Sequence, residues 1–249
     1  MSSLTNSVPR ALVIGSSGGI AQSLVSALLA DQAFDFIYTV SRSKQGVNDA
    51  RIKHYQVNSI EESEVEACCK TFQKEGVFSL IVCCIGTLHG GEDDKCFKPE
   101  KRLESLNTET MLRYFQANTL APMNWLKHSV KLVPKDQVSR IVFFTARVAS
   151  IEDNHLGGWY GYRASKAALN MLIKTAQIEL SRRLPKAVLV SYHPGTVDTN
   201  LSKPFQKNVP DGKLFTPDFT VLQLLKILPS LTEENAPHYI DWQGEFIPW

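Results

Sequence analysis

Six short apolar runs alternate along this sequence with segments of helical spacing. The runs occupy 11–14, 36–40, 52–57, 78–85, 140–145 and 187–191. This alternation predicts a parallel sheet with helices on both faces, because parallel neighbouring strands need a crossover connection that is usually a helix. Ligands of such sheets bind at the carboxyl ends of the strands. We therefore expect one α/β domain over residues 1–249, with its site at that edge.

Composition and charge narrow the range of partners. The 249 residues are 43% hydrophobic and carry a formal charge of +2, with lysines and arginines scattered along the chain. This mild, dispersed charge argues against nucleic acid or an acidic membrane as partner. The five cysteines follow neither a disulfide framework nor a metal-ligand spacing, and no apolar run reaches the ~20 residues of a membrane span. We expect a cytoplasmic protein without metal, membrane anchor or export signal, acting on small molecules.

The first apolar run leads into a glycine-rich turn and then into a helical pattern. The turn reads Gly15-Ser-Ser-Gly-Gly-Ile20. A strand, a glycine turn and a helix in this order direct free backbone N–H groups and the positive helix end towards a phosphate. Formation of a tight turn would by itself also explain the glycines. The candidate cofactor-binding residues in this turn are Gly15, Ser17, Gly19 and Ile20.

The second apolar run ends at Ser41-Arg42. Nucleotide-binding α/β folds place the residue that reads the ribose at this distance from the glycine turn. The planar guanidinium of Arg42 suits a 2′-phosphate, whereas an Asp or Glu would accept from a free 2′-hydroxyl. NADP(H) is therefore favoured over NAD(H), and a solvated loop arginine is the alternative interpretation.

Tyr162 and Lys166 lie four residues apart in a segment rich in Ala and Leu. In a helix both side chains project from one face and reach the same ligand. A nearby ammonium stabilises a phenolate and brings the phenol pKa towards working pH, as general acid–base catalysis requires. If only the spacing of this pair is considered, the alternative interpretation is a surface lysine one helical turn from a half-buried tyrosine, with no catalytic role.

Further candidates fall at the ends of other strands or on the helices beside them. Gly86 follows the fourth run, where a backbone without a side chain lets a flat ring lie close. Asn118 is a polar residue in an apolar helical pattern from 108 to 133, which Pro122 is expected to kink. The remaining strand-end candidates are Asn58, Pro194 and Gly195.

With these residues in place, Tyr162-x-x-x-Lys166 and the run from Pro194 to Thr199 resemble motifs of the short-chain dehydrogenase/reductase family. The resemblance covers essentially the whole chain and is strongest to the branch of C-factor-like and sniffer-like carbonyl reductases. It implies a doubly wound, Rossmann-type α/β fold, with seven parallel strands in the order 3-2-1-4-5-6-7 and helices on both faces. It also implies a homodimer or homotetramer.

The same resemblance implies NADP(H)-dependent hydride transfer between nicotinamide and a carbonyl or alcohol substrate. Tyr162 would protonate the developing alkoxide, and Lys166 would hold the nicotinamide ribose and lower the pKa of the tyrosine. Asn118 would anchor a water molecule of the proton relay. The implied cofactor-binding residues are Gly15, Ser17, Gly19, Ile20, Arg42, Asn58, Gly86, Tyr162, Lys166, Pro194, Gly195, Val197 and Thr199.

The serine with which the family binds the substrate carbonyl is missing from this sequence. Alignment with the family's I-V-N-I-S-S puts Ala146 in its place. Ser150 would supply the catalytic hydroxyl if the loop curls back. Thr145 is a second candidate, but its side chain should face the other side of the strand. The third possibility is that neither hydroxyl replaces the family serine. The loss leaves a second function open, an NADP(H)-binding sensor or signalling protein with little or no turnover.

The stretch at about 200–216 is polar, contains proline and lacks periodicity. This profile is typical of a mobile flap, and we expect it to shape the substrate pocket together with the loop at 87–106. Neither stretch carries a readable motif, so the sequence does not identify the substrate.

Overall fold

The computed structural model describes residues 8–44, 48–90 and 96–249. The strands are β1 (Arg10–Ile14), β2 (Phe36–Ser41), β3 (Ile52–Gln56), β4 (Leu80–Cys83), β5 (Ser139–Phe144), β6 (Ala187–His193), β7 (Thr196–Val197), β8 (Leu214–Phe215) and β9 (His238–Asp241). The helices are α1 (Gly19–Asp31), α2 (Glu62–Glu75), α3 (Thr108–Phe115), α4 (Ala121–Ser129), α5 (Tyr160–Arg183) and α6 (Pro217–Ile227).

Seven of these strands form one parallel sheet in the order β3-β2-β1-β4-β5-β6-β9, while β7 and β8 pair with each other. This order confirms the doubly wound, Rossmann-type fold class. The direction of winding reverses between β1 and β4, which pair in parallel from Ala11–Leu80 to Ile14–Cys83. At such a reversal the connections leave the sheet on opposite sides and open a crevice at the carboxyl ends of the strands.

The alternation of side chains along the central strands explains why both faces are covered. Leu12 and Ile14 of β1 belong to one apolar core, whereas Ala11 and Val13 belong to the other. The first core is completed by α2, α4 and α5, and the second by α1 and α6. Within the described ranges, no helix is both long and apolar enough to cross a bilayer.

The long helix predicted from 108 to 133 is interrupted. A π-helical stretch, Gln116–Leu120, separates α3 from α4, and Pro122 lies in the first turn of α4. Proline has no N–H, so it cannot make the α-helical hydrogen bond to the carbonyl of residue 118. The helix is thus interrupted at Asn118, just before Pro122, while a kink at Pro122 stays a prediction.

The segment at 200–216 has more local structure than its aperiodic sequence indicates. It contains a 3₁₀ turn, Lys203–Asn208, and the strand β8, which pairs with β7 just after β6. Short elements of this kind lack a long enough repeat to be recognised from hydrophobic spacing. The prediction that residues 200–216 form a mobile substrate flap on the single domain stays a prediction.

Candidate active site

A cavity of about 1290 Å³ opens at the carboxyl ends of the central strands. Its wall includes residues that follow β1, β4, β5 and β6, together with Tyr162 and Lys166 of α5 and residues between 199 and 213. Sites for single small molecules usually measure ~300–1,000 Å³. The cavity therefore has room for a dinucleotide and a second small molecule.

Backbone contacts fix the glycine-rich turn at this cavity. The N–H groups of Gly15 and Ser16 donate to the carbonyl of Val40 at 2.8 and 2.9 Å. Gly15 has a φ of +80°, and a Cβ added to it would lie 3.1 Å from the side chain of Ile85. Glycine adopts this conformation without strain and leaves the close approach open. The path of the turn thus depends on Gly15.

The N-terminus of α1 presents free backbone donors to the cavity. Its N-cap residue, Gly18, makes no side-chain hydrogen bond, and the first turn holds no acidic residue. By contrast, Asn107 and Thr216 cap the N-termini of α3 and α6 with their side chains. Free N–H groups at a positive helix end fit a diphosphate. The predicted residues that border the cavity here are Ser17, Gly19 and Ile20.

The segment after β6 lies on the other side of this helix end. A Cβ on Gly195, whose φ is +76°, would lie 2.6 Å from the ring of Phe215. The Thr199 Cγ2 atom is 3.3 Å from where a Cβ on Gly19 would be. The predicted residues of this segment that border the cavity are Pro194, Gly195, Val197 and Thr199. The fold therefore brings the two predicted groups of cofactor-binding residues together.

Tyr162 and Lys166 are both buried in the cavity wall, on the side of α5 that faces the sheet. The Lys166 Nζ donates to the carbonyl of Phe144 at 2.8 Å. A Cβ on Gly86 would lie 3.1 Å from the same Nζ. The missing side chain at Gly86 thus leaves space beside the ammonium group, as expected for a flat ring.

Burial governs the protonation of both groups in the protein alone. It lowers the pKa of Lys166 from 10.5 to about 8 and raises the pKa of Tyr162 above its ordinary value. The direction at Tyr162 is opposite to the lowering expected from the lysine, because loss of solvation penalises the phenolate. Tyr162 therefore retains its proton, which is the form that a proton donor needs. A lowering of this pKa by Lys166 in a cofactor complex stays a prediction.

Asn118 is buried in the π-helical stretch and joins two parts of the site. Its Oδ1 accepts from the Thr87 N–H at 2.7 Å, and its Nδ2 donates to the Thr87 carbonyl at 3.0 Å. The same Nδ2 donates to the Ser165 hydroxyl at 3.1 Å. Asn118 thus ties the chain after β4 to the helix that carries Tyr162 and Lys166. Single π turns within helices are frequent at functional sites.

Comparison with known proteins identifies the family. The family model described as short chain dehydrogenase matches residues 9–210. This chain belongs to the short chain dehydrogenase family. It is accordingly an oxidoreductase that transfers hydride at carbonyl or alcohol groups with a nicotinamide cofactor, and the resemblance stated from the sequence is confirmed.

Three relatives illustrate the match. Over 139 residues the chain is 33% identical to "C-signal" of Myxococcus xanthus, covering 56% of this chain and 78% of that one. Over 240 residues it is 28% identical to 1-hydroxy-2-glutathionyl-2-methyl-3-butene dehydrogenase of Rhodococcus sp. (strain AD45), covering 96% and 98%. The NADPH bound carbonyl reductase from chicken fatty liver shares the fold with a TM-score of 0.82 at 20% identity, covering 96% of this chain and 94% of that one.

Three predicted cofactor residues of this short chain dehydrogenase are not among the described residues that border the cavity: Gly15, directly after β1, Arg42, after β2, and Asn58, after β3. Arg42 is exposed, and its carbonyl accepts from the Gln56 side chain at 2.8 Å. The Asn58 side chain accepts from the Ile60 N–H at 3.4 Å. Arg42 follows β2, which neighbours β1 in the sheet, and Asn58 follows β3, which neighbours β2. The three strands are parallel, so both residues lie at the same edge of the sheet as the glycine turn.

The structure does not bring Ser150 to the part of the cavity wall that it describes. The Ser150 hydroxyl is buried and accepts from the Asp153 N–H at 3.0 Å within a local turn. Ala146 and Thr145 do border the cavity, and Ala146 packs in one apolar cluster with Tyr162. The Thr145 Oγ1 is buried and has no hydrogen-bond partner. Of the two residues considered from the sequence, Thr145 borders the cavity and Ser150 does not.

Two residues of the site were not singled out from the sequence. The His193 ring borders the cavity with a buried, unpaired Nδ1, and burial together with Arg147 lowers its pKa to about 4. Buried Glu100 accepts from the Gly161 N–H at 3.0 Å at the start of α5. The position of His193 directly before Pro194 was a usable signal, whereas nothing near Glu100 in the sequence indicates its contact.

Proposed function

We propose that this protein is an NADP(H)-dependent reductase of carbonyl compounds that also oxidises the corresponding alcohols. One observation carries the proposal: Tyr162 and Lys166 lie buried beside Gly86, in a cavity with room for a dinucleotide and a substrate. The chicken protein that shares this fold is a carbonyl reductase with NADPH bound, which supports the same activity.

A bound nicotinamide would supply a hydride, with its electron pair, to the carbonyl carbon. Tyr162 donates its phenolic proton to the carbonyl oxygen, so the carbonyl is reduced to an alcohol while the cofactor is oxidised. The Lys166 ammonium lies beside Gly86 and stabilises the phenolate that remains. Asn118 holds the chain after β4 in place and keeps Gly86 open towards the ammonium. Proton replacement through a water near Asn118 is part of the proposal.

The preference for NADP(H) over NAD(H) rests on Arg42. Its side chain is exposed at the carboxyl edge of β2, next to the strand that leads into the glycine turn. A guanidinium there suits a 2′-phosphate, and the free N–H groups at α1 suit the diphosphate. Asn58 is assigned to the adenine side on its position after β3.

The decisive experiment follows NADPH absorbance with a panel of aldehydes, ketones and quinones. Tyr162→Phe should lower turnover by about 100-fold to 10,000-fold, the usual contribution of a general acid, while NADPH binding measured by fluorescence is retained. Tyr160→Phe is the matched control, because Tyr160 lies one half-turn earlier on α5 and is not among the described residues that border the cavity. Equal losses in both variants would contradict the assigned role.

A second function is favoured by the apolar Ala146 in place of the family serine. A sensor would bind NADPH without oxidising it in the presence of any carbonyl on the panel, and Tyr162→Phe would behave as wild type. Binding combined with turnover that depends on Tyr162 would exclude this alternative.

The surface of the neighbouring helices bears on the assembly of the protein. Four large apolar side chains are more than half exposed on the neighbouring helices α3 and α5 and the π-helical stretch, namely Leu112, Leu120, Met171 and Ile178. Exposed apolar patches of this kind suit an interface between copies, so a homodimer or homotetramer is proposed. The cytoplasm stays a prediction.

A further inference from the structure

The charged side chains that border the described cavity wall are all of one sign; the buried Glu100, at the start of α5, is not among them. Within the described part of the chain, six charged residues border the cavity, and all are basic: Lys98, Lys101, Arg147, Lys166, Lys207 and Lys213. The protein as a whole has 27 basic and 25 acidic residues, so a wall chosen at random would mix both signs. The acidic stretch at 92–94 lies outside the described residues.

Three of these cations have no partner within the described part of the chain, whereas the Lys213 Nζ lies 5.4 Å from the centroid of the Trp242 ring. Arg147 pairs with Asp153 and Asp241, at 3.3 and 2.8 Å, and Lys166 is bound to the Phe144 carbonyl. In contrast, Lys98, Lys101 and Lys207 make no ion pair with any carboxylate in the ranges that the structure covers. A cleft lined by one sign of charge concentrates ligands of the opposite sign.

Two of the unpaired lysines belong to segments that pack near Tyr162. The Cα of Lys101 is 4.0 Å from where a Cβ on Gly158 would be, just before α5 begins. Lys207 belongs to the same 3₁₀ turn as Phe205, whose ring centroid is 5.1 Å from that of Trp159. Trp159 in turn lies 6.1 Å from Tyr162. These contacts connect the two lysines to the surroundings of Tyr162, whereas the cofactor phosphates are assigned to the start of α1.

Much of the remaining wall on this side is apolar, although Asn200, Ser202 and Asn208 also border the cavity. Trp159 and Phe205 form the apolar part together with Leu88, Val148 and Leu156. An apolar surface with a few placed charges favours a ligand with a hydrophobic body and one anionic group. Either feature alone would be ordinary, but here they share one side of the cavity.

We infer that the substrate is a carbonyl compound with an apolar body and a carboxylate, and that Lys101 and Lys207 bind the carboxylate. This inference rests on the proposed carbonyl reduction, in which Tyr162 protonates the carbonyl oxygen. The lysines bind the anionic group during substrate capture and do not take part in the hydride transfer.

A matched pair of substrates tests the inference. 4-Formylbenzoate and its methyl ester share the aldehyde and the ring and differ in charge. With NADPH, kcat/KM for the carboxylate should exceed that for the ester by about tenfold or more, and the ratio should fall as salt is raised from about 0.05 to about 0.5 M. A ratio near one in the wild-type protein would overturn the inference and leave carbonyl reduction standing.

Lysine variants locate the effect. Lys101→Gln and Lys207→Gln should each lower the carboxylate-to-ester ratio by about twofold to fivefold, through KM for the carboxylate rather than kcat. Lys226→Gln is the control, since Lys226 is an exposed lysine on α6 that does not border the described cavity wall. The same loss in the control, or no loss in either cavity variant, would contradict the assignment to Lys101 and Lys207.

Binding separates this inference from the proposed function. If neither aldehyde is reduced, carbonyl reduction fails for this pair, and calorimetric titration of each compound into the protein still compares their affinities. Tighter binding of the carboxylate that weakens in Lys101→Gln supports the inference without turnover. Equal affinities for carboxylate and ester overturn it.

Discussion

The two halves of the cavity are built in different ways. The cofactor half, which comprises residues 17–20, Gly86, 194–197 and Thr199, is set by backbone turns and strand ends. The substrate half, which comprises Lys101, Trp159, Phe205 and Lys207, is set by side chains on connecting segments. In the cofactor half, backbone geometry restricts which residue types can occupy a position. In the substrate half, most positions can hold many residue types. A dinucleotide site can therefore be recognised from sequence while the substrate remains unknown.

The largest expected effect concerns the hydroxyl that replaces the family serine. Thr145→Val should lower kcat by about 100-fold or more if its hydroxyl polarises the carbonyl, the usual size for such a donor. Ser150→Ala should change kcat little, because that hydroxyl already accepts from the Asp153 N–H. Steady-state NADPH oxidation measures both. A larger loss in Ser150→Ala than in Thr145→Val would support Ser150 as the hydroxyl that binds the carbonyl. It would also show that this part of the substrate half could be predicted from the sequence.

The course of the chain around Ser150 shows why the sequence could not settle this point. Arg147, directly after Ala146, pairs with Asp153 nearby and with Asp241 on β9, 94 residues further on. These two ion pairs fix the loop. The pair between Arg147 and Asp241 joins residues that are far apart in the sequence, so no local sequence pattern predicts it. By contrast, the turn at Gly15 follows from a local strand, a φ of +80° and a close neighbour.

Trp159 gives a second example. Gly157, Gly158 and Trp159 all have positive φ, at +63°, +66° and +54°. This conformation is costly for a bulky residue and persists only where the surrounding structure enforces it. The sequence showed two glycines before a tryptophan, but the backbone strain that turns the indole towards Phe205 and Tyr162 is visible only in the fold.

Lys166 lies where the two halves meet. The pKa of its side chain tests whether water is excluded from that part of the cavity. Its pKa falls from 10.5 to about 8 on burial. Between these two values the folded protein binds fewer protons at this lysine than the unfolded chain does, so the contribution to stability rises with pH. The stability of wild type relative to Lys166→Met should increase by about 3 kcal/mol across this window. Denaturant unfolding at several pH values measures the difference, and a constant difference would mean that water reaches the ammonium.

The smallest expected effect concerns the outer end of the cofactor half. Arg42→Asp should weaken NADPH binding by about tenfold or more, the contribution of a charge-assisted hydrogen bond to a phosphate, and should leave NADH binding almost unchanged. Because Arg42 is exposed and apart from the described cavity wall, the variant should fold normally. Fluorescence titration with both cofactors measures the two affinities. Equal losses of affinity for NADPH and NADH would contradict the assignment of Arg42 to the 2′-phosphate. The part of the site predicted correctly from the sequence would then be limited to the glycine turn and the strand ends beside it.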